Sequence, residues 1–219
     1  MKIYHIRKES GKDTDFRPTI LRALTAYQNY KSQNVKSTVK VEIYIASGFF
    51  TEDTNIQNPS NVSTFTDPST STQLISALHG FDKIYLFGAY SGKKELQNLV
   101  THLRSFNLPI CGYYQWHFHA KIFIITVNDE TAFEIIGSSN MTNSAYNGLK
   151  SLSKYSQNFE TDLVLCRDDI CNVPIDTNEK IMQFRYFPED NNGITIKTHM
   201  EDILNILKDL MRDETKPKL

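Results

Sequence analysis

The sequence is poor in the features that most often announce a class. Its charge is nearly balanced, 24 Lys and Arg against 25 Asp and Glu over 219 residues. A protein that holds nucleic acid by indiscriminate phosphate contact is usually basic, so any basic surface here must be local or supplied by a partner. Cysteine is scarce: there are three, and Cys166 and Cys171 have neither CxxC spacing nor a nearby histidine pair. A disulfide-stapled scaffold and a zinc module are thereby excluded, and reduced thiols in or near a core are expected, Cys111 included. No apolar run approaches the roughly 18 residues of a membrane span; Ile122–Ile125 is typical of the longest. The stretch Met1–Glu9 lacks the apolar segment of a secretory signal, so a cytoplasmic protein without a membrane partner is expected.

What is present is material for a core. With 40% hydrophobic and 11% aromatic residues, the chain can bury one sizeable core, which excludes a disordered or fibrous protein. A single domain over 1–219 is expected, with its core at about 39–166 and a C-terminal helical extension at about 167–219.

Periodicity orders the elements. After a charged lead-in, Asp15–Tyr30 carries Phe16, Ile20, Leu21, Leu24 and Tyr27 at helical spacing. Val39–Ile45 alternates as a strand and runs into a small-residue corner at Ala46-Ser47-Gly48. Thr51–Ser71 is polar, as in a functional lid or a mobile loop. Gln73–His79 reads as a short helix. Lys83–Gly88 reads as a strand buried on both faces, Lys93–Phe106 as a helix, and Pro109–Tyr114 as another strand. Strands alternating with helices in this way imply βαβ units, hence an α/β fold with a mixed, mainly parallel sheet flanked by helices. His117–Val127 and Phe133–Ile136 then read as a hairpin about the polar turn Asn128-Asp129-Glu130. The pattern allows a helix over Thr142–Ser153, a strand over Phe159–Cys166 and an amphipathic helix over Thr198–Met211.

One stretch concentrates chemistry. In a strand His119 and Lys121 share a face, with His117 beside them. The hairpin returns the chain alongside and delivers Gly137-Ser138-Ser139-Asn140, where a glycine permits close backbone approach and the polar side chains offer donors. A nucleophile, a cation and an oxyanion cradle on one spot are what phosphodiester cleavage requires. A working histidine also needs a partner for its other ring nitrogen. Glu160 is the candidate, with Asp162 on the same strand face as its rival. His117-x-His119 invites a metal pair, but no carboxylate-rich helix completes one, so no metal is expected and His117 reads as a rim residue. Trp116, Tyr113 and Tyr114 could stack on bases, though core packing is the favoured reading.

His119-x-Lys121, Gly137-Ser138-x-Asn140 and Glu160 resemble the HKD signature of the phospholipase D superfamily. The likeness is to its single-motif nucleases, including the metal-independent NgoFVII-type restriction endonucleases. Ile45–Phe50 is similar to the first strand of that group. The family pattern has an aspartate where this chain has Thr126, and the interval from His119 to Gly137 is longer than the family's, so an enlarged hairpin turn is expected.

The resemblance implies a phospholipase D-like fold and catalysis by His119, Lys121, Asn140 and Glu160, with no metal and no cofactor. Ser138, Gly137, Ser139, His117 and Ser47 are the implied substrate-binding residues. One motif per chain implies a homodimer with a shared site acting on nucleic acid, DNA foremost. Host defence is the implied setting. About fifty residues beyond Cys166 are too few for a further DNA-reading domain, so a separate specificity or motor subunit is expected. Two rivals stand beside this reading. A phospholipid or small-phosphodiester hydrolase is disfavoured by the polar 51–71 stretch. An inactive nucleic-acid-binding scaffold is favoured by Thr126 and disfavoured by the retention of His119, Lys121, Asn140 and Glu160.

Overall fold

A computed structural model of the chain describes residues 2–8, 16–34, 38–48, 50, 68–88, 93–114, 120–139, 141, 160–175, 182–184 and 196–212. The 51–67 stretch and the helix expected over Thr142–Ser153 lie outside the described residues. Three strands run parallel: β2 (Val41–Ser47), β3 (Lys83–Gly88) and β4 (Ile110–Tyr114). The sheet continues antiparallel through β5 (Ile122–Val127), β6 (Glu130–Gly137), β7 (Glu160–Cys166), β1 (Lys2–Lys8) and β8 (Met182–Phe184). The eight strands stand in the order β4-β3-β2-β5-β6-β7-β1-β8.

The α/β class and the mixed sheet are as the sequence suggested, but the parallel share is smaller than expected. Only β2–β3 and β3–β4 are parallel, and the remaining pairings are antiparallel. Parallel neighbours need a crossover, usually a helix. α2 (Pro68–Leu78) and α3 (Lys93–Arg104) lie between those strands in the chain, whereas β5 and β6 are joined by a turn. The sheet also reaches past the expected 39–166 core, because β1 and β8 come from the charged lead-in and the supposed helical extension.

The two faces of the sheet are covered unequally. α1 (Phe16–Gln33), α2 and α3 lie on one face, where Ile20, Leu24, Leu74, Leu78, Leu99 and Leu103 meet Ile43, Ile45, Ile84 and Phe123. On the other face Leu204 and Leu207 of α4 (Ile196–Arg212) meet Tyr44, Tyr85, Phe87, Ile122 and Ile124. Covered on both sides, β2 and β5 are buried at every residue. Each fully buried side chain of this size contributes roughly 1.5–3 kcal/mol. Cys166 and Cys171 are free thiols in the core and Cys111 is half-buried. Tyr113 is a core aromatic stacked on Phe87 at 5.3 Å, which settles its part of the stacking question; Trp116 lies outside the described residues.

The β5–β6 turn is not enlarged. Asn128 and Asp129 alone join the strands, both at positive φ (50° and 68°), the backbone that matches the strand twist in a two-residue hairpin. Asn128 N donates to Lys40 O at 2.8 Å, and Lys40 N donates to Asn128 Oδ1 at 3.0 Å. The extra length lies in the strands, including a β-bulge at Ala132, where the register passes from Ile125↔Phe133 to Thr126↔Thr131.

Candidate active site

Strand register brings several of the described candidate positions to one end of the sheet. Ala46 pairs with Ile122, Ile122 with Ile136, and Gly137 with Asp162. At one end of the sheet, then, β2 ends at Ser47, β5 begins just after Lys121, β6 ends at Gly137 and β7 begins at Glu160. The same end holds Gly88 and Tyr114, the last residues of β3 and β4. Lys121, Ser139, Met141 and Asp162 line one narrow crevice with Phe16, the first residue of α1.

The Gly137–Met141 segment is fastened to strands on both sides. Asp162 Oδ1 accepts the amide of Ser139 at 3.1 Å, and Oδ2 accepts its hydroxyl at 2.5 Å. Ser47 Oγ accepts the amide of Met141 at 3.0 Å. Gly137 N donates to Lys121 O at 3.2 Å, which continues the β5–β6 ladder to the site.

Ser47 (0% exposed) and Ser139 (5% exposed) are buried, and their hydroxyls engage protein groups. Ser138 and Lys121 are half-buried and Gly137 is exposed. Glu160 begins β7, paired with Lys8 of β1. His117, His119 and Asn140 lie outside the described residues. Asp162, expected only as a rival partner for the imidazole, is the fastener that sequence reasoning missed. Its part follows from a register opposite Gly137 that residue spacing does not encode.

Thr126 lies elsewhere. Five residues along β5 from Lys121, it is about 16 Å from the site at 3.3 Å per residue. There it is wholly buried, paired with Glu42 on β2 and Thr131 on β6. The carboxylate in that neighbourhood is Glu42, which meets Lys40 Nζ at 3.1 Å and accepts from the hydroxyls of Tyr85 (3.1 Å) and Tyr44 (3.3 Å). Burial, and then the Glu42 charge, push both tyrosine hydroxyls up, which keeps them protonated as donors. Asp129 is at the same far end, 2.9 Å from Lys40. Among the described residues no group of three or more His, Cys, Asp or Glu side chains could hold a metal ion, and no helix is long and apolar enough to cross a membrane.

No family model matches the chain, and no curated protein does. Among solved structures it is similar to NucT from Helicobacter pylori, with a TM-score of 0.41 and 15% identity over 74% of this chain and 84% of that one. It is similar also to polyphosphate kinase from Porphyromonas gingivalis, with a TM-score of 0.42 and 15% identity over 77% of this chain and 24% of that one. Yeast tyrosyl-DNA phosphodiesterase gives a TM-score of 0.37 and 10% identity over 74% of this chain and 46% of that one. The chain thus spans less than half the length of the two larger proteins. At such scores the likeness is one of general strand arrangement, and the chemistry rests on the geometry of the site itself.

Proposed function

We propose that this chain is a metal-independent phosphodiesterase of the phospholipase D type that cleaves nucleic acid, DNA foremost, through a covalent phosphohistidine. The observation that carries the reading is the register that sets Lys121, the Gly137–Ser138 cradle and the β7 carboxylates on neighbouring strands at one sheet end. Lys121 immediately precedes β5, and His119 stands two residues before it in the sequence.

Neutral His119 attacks phosphorus, and a nitrogen–phosphorus bond forms as the bond to the leaving oxygen breaks. A second, protonated imidazole gives its proton to that oxygen. Water then attacks phosphorus, losing a proton to the now neutral second imidazole, and the phosphate leaves with His119 restored. With one motif per chain, the second imidazole is His119 of another copy, so the working form is a twofold homodimer with a shared site. Lys121, Asn140 and the donors of Ser138 hold the phosphoryl oxygens, Gly137 permits their close approach to the backbone, and Glu160 orients the imidazole. The protein works inside the cell in defence against foreign DNA, with a separate subunit for specificity or motion along the duplex.

Cleavage of plasmid and single-stranded DNA in excess EDTA, with His119→Ala in parallel, is the test. Cutting that survives EDTA and falls at least 1,000-fold in the variant is expected. Cutting that EDTA abolishes would sink the reading.

A further inference from the structure

Residues 139 and 141 are each tied to the sheet, and the ties end on different strands. Ser139 is held by both carboxylate oxygens of Asp162 on β7, and Met141 by the hydroxyl of Ser47 on β2. These strands are separated by β5 and β6, so the two ties grip the segment from opposite sides. Ser138 stands between Gly137, whose amide is bonded to Lys121 O, and the tied Ser139.

We propose that Asp162 and Ser47 are positioning residues that hold the segment carrying Ser138 at the reacting phosphate, which rests on the reading of Ser138 as a phosphoryl-oxygen donor. Both are buried, at 3% and 0% exposure. Asp162 acts through residue 139 and not upon the reacting atoms. A donor that stabilises developing charge works only within a few tenths of an ångström of its place, and a 1 Å displacement costs about 100-fold in rate.

Steady-state cleavage of DNA in EDTA reads the kinetic half. Asp162→Ala lowers kcat about 100-fold and Ser47→Ala about tenfold, both with KM nearly unchanged. Adding Ser139→Ala to Asp162→Ala brings little further loss, because both break one tie. Asp162→Asn restores most of the loss, since its carbonyl oxygen still accepts the Ser139 amide and its NH2 donates to the hydroxyl, and both limbs of the pH–rate profile stay in place. Asp162→Asn as inactive as Asp162→Ala, with a displaced limb, would overturn the proposal, because a charge facing the imidazole would then be at work. Amide hydrogen exchange over 137–141 reads placement without any activity. It quickens at least tenfold in Asp162→Ala and Ser47→Ala, and unchanged exchange in both would overturn the proposal. A wild type that cleaves no phosphodiester yet shows this exchange pattern would remove the proposed function and leave the two ties standing.

Discussion

Glu134 carries a carboxyl group into a surface that offers it nothing. It is fully buried on β6, opposite Ile124 of the face that α4 covers, and among the described residues neither of its oxygens has a hydrogen-bond partner. Loss of solvation pushes its pKa from the ordinary 4.5 up to about 8. Below 4.5 the group is protonated in the folded and the unfolded chain, and its neutral form costs no ionisation. Between 4.5 and 8 the unfolded chain ionises while the folded chain does not, so stability is lost as pH rises, on the order of 5 kcal/mol in all. Above 8 both forms are charged and the loss levels off. Urea unfolding at pH 5 and pH 8.5 should therefore show a clear fall in the wild type and a much smaller one in Glu134→Gln. Equal falls in the two proteins would contradict this assignment. In the sequence, Phe133-Glu134-Ile135 looks like ordinary strand alternation with the glutamate in water. Only a second layer covering the sheet makes it costly, and strand alternation does not reveal whether that layer exists.

The same covering helix can be tested as an element. α4 buries Leu207 completely and leaves the adjacent Ile206 52% exposed. Leu207→Ala should cost about 2–5 kcal/mol in urea unfolding, and Ile206→Ala less than about 0.5. Similar costs at both positions would mean that α4 does not dock by this face. Elements whose signal is local were legible: α4 from its apolar stripe, α1 and α3 likewise, and the hairpin from Asn128-Asp129. β1 was not, because its seven residues mix Ile3, Tyr4 and Ile6 with four basic side chains, and what makes them a strand is pairing with β7, more than 150 positions away. Three-residue β8 pairs with that same hidden strand. The site divides in the same way. Lys121 and Gly137–Ser138 stood out because the motif is contiguous, whereas the duty of Asp162 depends on a cross-strand register that spacing does not encode.

Across the whole molecule, the sheet gathers its polar work at two opposite ends. One end is a charged latch of Lys40, Glu42 and Asp129, with Lys31 and Asp82 paired at 2.8 Å. The other holds Lys121, the Gly137–Met141 segment and Asp162, with Ser47 beneath. Thr126 lies at the first of these ends, buried on β5 and paired with Glu42. The proposed function requires a covalent adduct, which can be looked for directly. DNA labelled with 32P at one internal phosphodiester is mixed with excess enzyme in EDTA and quenched in alkaline denaturant within a turnover. Label that stays with the protein, survives alkali, is released by acid and is absent from His119→Ala is the expected result. Cleavage that proceeds without any such adduct, or an adduct that persists in His119→Ala, would contradict phosphohistidine catalysis by this chain.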